Sequence, residues 1–387
     1  MSGPLSHVRV LDFTALVQGP MATQLLGDLG ADVIKFERPG GEWMRSWGIL
    51  NGRSHGEMDS FLAFNRNKRS VAVDLKDPRV AGRILELAVE ADVVVENFRP
   101  GVMARLGLGY EDFRAANPQI IYASSSGYGQ TGPYSKRPGQ DLLIQALSGL
   151  MFLTGRKHEP PTAFGVGITD QYTALHIVIG ILAALAHRTE TGEGQKLEVD
   201  LFSCTVAMQQ QELTYYLNHG TLPERAEENL GSVWATAPFG IYATADGHIA
   251  IAMTPCPVLA AALDLPWLEQ FDTLDEMVAS RAEIYSGLSE HFRGDTSARW
   301  IEVLLEHDVW CAPVQTYEQL VEDPQVASNE MFWDVPVGAG EASFRTPGSP
   351  FRFSTTPAEI RYGVPRAGQH TSEFFTEADL SGAGTEA

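Results

Sequence analysis

The chain has 387 residues, enough for two or three domains rather than one small core. Apolar residues make up 44% and charged residues 20%, which excludes a disordered, collagen-like or low-complexity chain. Lys and Arg number 28 against 49 Asp and Glu; the net charge of −21 argues against a nucleic-acid partner and leaves room for a small anion only where cations gather locally.

Residues 8–13 read as a strand. Pro20 near its start and Gly30 past its end predict a helix over 21–29. Residues 32–36 form the next strand and 70–75 another. Asp77-Pro78, a cap followed by a first-turn proline, opens a helix to about residue 90. β-Branched runs at 93–95 and 120–123 complete a series of short apolar strands separated by helices. That pattern predicts an α/β fold of βαβ units, a Rossmann-like domain on a mostly parallel sheet. The longest apolar helix, about 171–187, has apolar residues on most faces, which predicts burial. Its most apolar stretch, 177–186, is too short to span a bilayer. A strand at 196–199 and a helix at 201–217 follow.

Beyond His219 the texture changes. Residues 221–229 are polar, and 239–244 and 248–253 read as a hairpin about Asp246-Gly247. Helical stretches run to about 305, and 309–314 is strand-like. From about Met331 the chain is rich in Pro, Gly and Thr; 345–366 lacks a helical period and is predicted to wrap back over the first domain. The expected division is a large domain of residues 1–219 and 331–387 and a small α+β domain of 220–330. Cys204, Cys256 and Cys311 are too far apart for a disulfide framework or a zinc site. The first seven residues lack the features of a signal peptide, so a reduced, cytoplasmic setting is expected, with no membrane partner.

Several chemistries lack their motifs. The turn from Thr14 to Pro20 holds one glycine, Gly19, where a dinucleotide fold needs three, so no nicotinamide is expected. There is no phosphate loop, and Ser124-Ser125-Ser126-Gly127-Tyr128-Gly129 is not a nucleophile elbow. The histidines are scattered without metal spacing, so no metal is expected.

Three groupings remain. Asp170 stands directly before the long apolar helix. Spacing favours its capping that helix, a role compatible with acting as an ionised, fixed nucleophile or base beside Gly165 and Gly167. Arg38, Lys76 and Arg99 follow predicted strands, where an open parallel sheet binds its ligands, with Arg105 one turn on; Asn65-Arg66-Asn67-Lys68-Arg69 is a further basic run. In so acidic a chain these point to a phosphorylated ligand. Gln140 and Asp141 open another helix, where Asp141 charges the first turn and Gln140 is either a surface residue or a neutral donor. Trp234, Met253 and Trp310 are candidate pocket liners, although core packing is the commoner fate of such residues.

Together these segments resemble the class III CoA-transferase family, also called the formyl-CoA transferase or CaiB–BaiF family, over nearly the whole chain. The carrying stretches include Val10-Leu11-Asp12-Phe13 with Gln18-Gly19-Pro20, residues 29–35, Asn65-Arg66-Asn67-Lys68-Arg69-Ser70, Glu96-Asn97-Phe98-Arg99-Pro100-Gly101, Gly127-Tyr128-Gly129-Gln130-Thr131-Gly132-Pro133, and residues 141–149 and 242–247. The resemblance implies two ring-like subunits interlocked as a homodimer, coenzyme A bound as an acyl-CoA substrate, and a small organic acid as the partner in exchange. It matches the catalytic aspartate to Asp170 and CoA contacts to Gln18, Arg38, Lys76, Asn97, Phe98 and Arg105. A loop from Arg137 to Gln140 lines the thioester region. The implied reaction moves CoA from an acyl-CoA to a carboxylic acid through an aspartyl mixed anhydride and an enzyme–CoA thioester. Racemases of the family resemble Gly-His-Asp where this chain has Gly139-Gln140-Asp141, and glutamine carries no proton at neutral pH, so transfer is favoured over a 2-methylacyl-CoA racemase or epimerase. A non-catalytic CoA-binding protein is the other alternative. The glycine-rich flap of formyl-CoA transferase-like members corresponds here to residues 230–238, with one glycine, Gly231.

Overall fold

In the computed structural model, which describes residues 3–47, 52–340 and 342–380, six short strands build one sheet. They are β1 (Arg9–Phe13), β2 (Asp32–Glu37), β3 (Lys68–Ala72), β4 (Val93–Glu96), β5 (Ile121–Ser126) and β6 (Gln195–Asp200). Every neighbouring pair is parallel, in the order β3-β2-β1-β4-β5-β6. This is the doubly wound arrangement, with helices on both faces.

The central strands are apolar at their middles because successive residues face opposite cores. Val10, Val33, Val93 and Val95 share one core with helices α1 (Gln18–Asp28) and α4 (Ile168–Thr191). Leu11, Ile34 and Val94 face the other, with α2 (Pro78–Ala88). The capping signal at Asp77 works as its sequence predicts: its carboxylate accepts from the Arg79 N–H at 2.9 Å. Between β5 and α4 lies a short helix, α3 (Asp141–Leu147).

Helix α4 departs from expectation in two ways. It has 24 residues, and by length and composition alone is long and apolar enough to cross a membrane, whereas its most apolar stretch had suggested otherwise. It is also only half covered. Ala174, Ile177 and Ile181 pack on the sheet, while Leu175, Ile179 and Leu182 on the other side are exposed. A helix apolar all round does not reveal from its sequence which faces find neighbours. The predicted helix over 201–217 breaks at Gln209 into α5 (Leu201–Met208) and α6 (Gln210–His219).

The basic run 65–69 is an internal framework and not a ligand surface. Arg66 forks onto Asp28 (2.7 Å), Asn67 donates to the same carboxylate (2.8 Å), and Arg69 pairs with Asp32 (2.6 Å). Lys68, wholly buried, meets Asp12 at 3.2 Å and donates to the Pro20 carbonyl and to Asn65 Oδ1, both at 2.9 Å. Burial alone would raise the Asp12 carboxyl, but Lys68, Lys35 and Thr14 hold it below its ordinary range.

The tail returns to this unit, as expected. Arg361 donates to the carbonyls of Gly27 (2.8 Å) and Ala31 (2.6 Å), and the His370 N–H donates to the Ser70 carbonyl (2.9 Å). A hairpin of β10 (Phe332–Val337) and β11 (Ala342–Pro347) precedes it, beyond the short strand signals read there.

The chain divides into two compact units. The first comprises Met1–Ser148, Val166–Gln209 and Gln325–Ala387; the second comprises Gly149–Gly165 and Gln210–Pro324. The second unit therefore takes two segments that the sequence reading had given to the large domain. Within it, strands β7 (Gly240–Ala243), β8 (His248–Ile251) and β9 (Cys311–Pro313) form an antiparallel sheet over a separate core that includes Tyr242, Leu259, Ile284 and Phe292.

Candidate active site

Parallel pairing brings the carboxyl ends of all six strands to one edge. Gln18 follows β1, Arg38 follows β2, Lys76 lies beyond β3, and Asn97 and Phe98 follow β4, so the predicted CoA contacts from four loops share that edge. Arg38, Lys76, Arg99 and Arg105 are exposed, and among the described residues none is ion-paired. At the opposite edge Arg9, Arg69 and Arg188 are all held by carboxylates of Asp32 and Asp92. These four cations thus lie where a doubly wound sheet binds ligands.

Three of the predicted contacts carry structural duties as well. The Asn97 carboxamide donates to the Ala15 carbonyl at 2.8 Å and accepts from the Ala15 N–H at 2.9 Å, tying the β1 and β4 loops together. Phe98 packs against the core beside α2. Gln140 caps α3 by accepting from the Leu142 N–H at 3.2 Å. Gln18 is buried, and its Oε1 has no hydrogen-bond partner among the described residues. Arg137 is exposed, with its guanidinium 3.8 Å from the centre of the Tyr134 ring.

Two glycines set the shape of the loop after β5. A Cβ on Gly139 would lie 2.4 Å from the Gly127 Cα, and one on Gly127 would lie 2.6 Å from the Gly139 Cα. The two backbones touch directly, so any side chain at either position would push residues 128–138 out of place.

Asp170 is the third residue of α4, after the N-cap Gly167. It is not the cap. A carboxylate from α3 does that work: Asp141 Oδ1 accepts from the Thr169 N–H (2.8 Å) and Thr169 Oγ1 (2.7 Å), and more distantly from the Asp170 N–H (3.4 Å). The opposite oxygen of Asp141 accepts from Gln145 Nε2 at 2.6 Å. A cap reaching across from another helix leaves no local sequence signal. The Asp170 carboxyl is therefore free of structural duty, and no side-chain or backbone donor among the described residues meets it.

Its protonation also differs from expectation. A helix N-terminus favours the anion, but burial first, and then the nearby Asp141 charge, push the Asp170 carboxyl up to about 7. Asp141→Asn keeps an oxygen for the Thr169 cap and removes that charge. It should move the rising limb of the activity–pH profile to lower pH; an unmoved limb would show that burial alone sets it.

Sequence reasoning overlooked Glu96. It ends β4 immediately before Asn97-Phe98, accepts a hydrogen bond from Ser124 Oγ, and receives the Phe98 N–H at 2.8 Å. Burial outweighs these bonds and lifts its carboxyl to about 7. An acidic residue closing a run of three buried valines was the available signal. Among the described residues no cluster of His, Cys, Asp and Glu could hold a metal ion.

A doubly wound sheet with cations along its carboxyl edge that have no ion pair among the described residues, and an unengaged carboxyl at a helix start, is an arrangement suited to an anionic ligand. Comparison with known proteins identifies the class. The sequence model of CoA-transferase family III matches residues 5–371, and the chain belongs to that family. It is 36% identical to the human succinyl-CoA:glutarate CoA-transferase over 386 residues, covering 97% of this chain and 86% of that one. It is 34% identical to the succinyl-CoA:mesaconate CoA-transferase of Haloarcula hispanica, covering 99% and 98%. The crystal structure of a CAIB/BAIF family protein from Brucella suis superposes with a TM-score of 0.86 at 32% identity, covering 98% of this chain and 100% of that one. The protein is a class III CoA-transferase, an enzyme whose substrates are CoA thioesters.

Proposed function

We propose that this enzyme transfers CoA between two carboxylic acids with Asp170 as the nucleophile. The Asp170 carboxylate attacks the thioester carbonyl carbon, the C–S bond breaks, and CoA leaves as the thiolate. The thiolate then attacks the Asp170 carboxyl carbon of the mixed anhydride, releasing the first acid as its carboxylate and leaving Asp170 as a CoA thioester. The acceptor carboxylate attacks that thioester, and the returning thiolate takes the acceptor's acyl group, restoring Asp170. Each step exchanges one anion for another, so no proton or high-energy phosphate is consumed. Covalent capture divides a difficult exchange into easier ones.

The observation that carries this proposal is the Asp170 carboxyl: at a helix start, unpaired, and relieved of capping by Asp141. Arg38, Lys76 and Arg105 hold the phosphates of CoA. Gln18, Asn97 and Phe98 position the ligand between the β1 and β4 loops, and Arg137 and Gln140 border the thioester. Gln140, whose side chain serves as a cap and cannot titrate, offers no second acid for epimerisation. The large unit binds CoA. The exposed rows Leu142, Leu143 and Leu147 on α3 and Leu175, Ile179 and Leu182 on α4 are apolar surface of the kind a homodimer covers. The three cysteines are free, in keeping with a cytoplasmic setting. The donor and acceptor are small organic acids, as in the named relatives.

Trapping tests the mechanism. After incubation with a panel of acyl-CoAs and quenching with hydroxylamine or borohydride, an acyl-dependent modification should map to Asp170. CoA binding without any Asp170 adduct would overturn the proposal.

A further inference from the structure

Strand order reverses between β1 and β4: the chain runs from β1 outward to β2 and β3, then crosses to β4 on the other side. In a doubly wound sheet the ligand crevice opens at that reversal, outside the carboxyl ends of the two strands. The loop that leaves β1 there runs from Thr14 to Val17. Side chains hold its first three residues. Asp12 Oδ1 accepts from the Thr14 N–H (2.8 Å), Lys35 Nζ donates to the Thr14 carbonyl (2.7 Å), the Asn97 carboxamide meets both polar groups of Ala15, and Glu42 Oε2 accepts from the Leu16 N–H (3.1 Å). Lys35 and Glu42 are buried, with Glu42 Oε1 3.3 Å from Lys35 Nζ. Glu42 is fixed in turn. Its N–H donates to Glu37 Oε2 (2.9 Å), and Glu37 takes a two-pronged bond from Arg45, 2.7 Å on each side.

The last residue so held is strained. Leu16 has a φ of 71°, a left-handed backbone that glycine, asparagine and aspartate adopt more readily than leucine. Its side chain is 41% exposed, so core packing does little to offset the strain. The bond to Glu42 is made by the strained residue itself. One residue on, Val17 is the N-cap of α1, and Gln18 opens that helix. The turn at Leu16 therefore sets where α1 starts and how Gln18 is presented.

We infer that Glu42 is a positioning residue for CoA: backed by Lys35, it holds Leu16 in the left-handed turn and so keeps the β1 side of the crevice in its binding shape. The inference rests on the reading above that CoA lies between the β1 and β4 loops. Without the Glu42 oxygen the Leu16 N–H loses its partner, and Leu16 relaxes toward an ordinary negative φ. The start of α1 shifts with it, and a ligand must then restore the turn before it can bind, which weakens binding.

Isothermal titration with CoA itself reads binding without turnover. Glu42→Ala should weaken CoA binding at least 10-fold and raise KM for acyl-CoA alike, while kcat at saturation falls far less. Glu42→Gln, which keeps an oxygen for the Leu16 N–H, should recover most of the affinity. Leu16→Gly added to Glu42→Ala should restore at least 5-fold, because glycine adopts a positive φ without the clamp; a Glu42 that served only stability would give no such recovery. Leu16→Ile keeps the volume, but its β-branch resists the left-handed backbone. It should weaken CoA binding at least 5-fold, and it decides the matter if Glu42→Ala fails to fold. Unchanged CoA affinity in Glu42→Ala or in Leu16→Ile, or no recovery in the glycine double variant, would overturn the inference. Arg38→Ala separates it from the reading it rests on. CoA binding weakened by Arg38→Ala but not by Glu42→Ala removes Glu42 alone, whereas binding indifferent to both removes the CoA site from this edge and the inference with it.

Discussion

Asp170→Asn should reduce CoA transfer at least about 10⁴-fold and, in the same variant, stabilise the fold at neutral and higher pH. The first effect follows from removing the group that forms the covalent bond; loss of a nucleophile typically costs this much or more. The second follows from linkage. In the unfolded chain the carboxyl titrates at the ordinary 3.8, and in the fold burial and Asp141 lift it to about 7. A raised carboxyl contributes stability that is present below the unfolded value and lost as pH rises to the folded one. The wild type therefore gives up about 4 kcal/mol between pH 4 and pH 7, at about 1.4 kcal/mol per unit, whereas the neutral asparagine does not. The melting-temperature difference between variant and wild type should be near zero at pH 4 and widest above pH 7. A variant that is inactive but no more stable at pH 8 would mean that solvent reaches the carboxyl and relieves it. A variant with normal turnover would remove Asp170 from the mechanism.

Lys68→Met should destabilise the protein by about 3–5 kcal/mol, a large share of the total for a typical domain. Lys68 and Asp12 are both fully buried, and the ammonium uses its three protons on Asp12, the Pro20 carbonyl and Asn65. Methionine matches the length of the side chain but takes the ammonium away from Asp12, the Pro20 carbonyl and Asn65, leaving the buried Asp12 carboxylate to the hydrogen bonds of Thr14 and Thr23 and to the more distant Lys35. Burial also presses on the lysine, whose pKa falls to about 8 despite Asp12 beside it. The pair is thus held together by mutual need more than by net attraction, so the double variant Lys68→Met with Asp12→Leu should recover much of the loss. Urea unfolding measures both. A single variant within about 1 kcal/mol of wild type would show that water or Lys35 compensates for the missing charge.

The parts of this molecule that could be read from its sequence are those whose causes are local. The strands at 93–95 and 120–123 announce themselves by β-branched runs, and Asp77 caps the helix that its own neighbours form. Resemblance of ordered segments named the family, and Asp170 with it. What lay beyond reach were long-range pairings. Nothing near Asp141 says that it will cap a helix starting at Ile168, so spacing favours Asp170, which stands beside that start, for the task. The run from Asn65 to Arg69 looks like a surface for anions because its partners Asp12, Asp28 and Asp32 stand far upstream. The side of α4 left bare is decided by which elements pack on it, not by the apolar residues that both sides share.

The interleaving of the two units bears on the order in which a growing chain can complete them. Synthesis reaches Pro324 with every residue of the second unit already made, while the first still lacks its last segment. Until residues 359–371 emerge, Asn67 and the carbonyls of Gly27 and Ala31 lack their final partners, and β3 stands as an open edge awaiting His370 and Thr371. An open parallel edge is a template for association with other chains. The closing segment is therefore a seal applied last, and translation that stops between the two points would release a finished small unit attached to an unsealed large one.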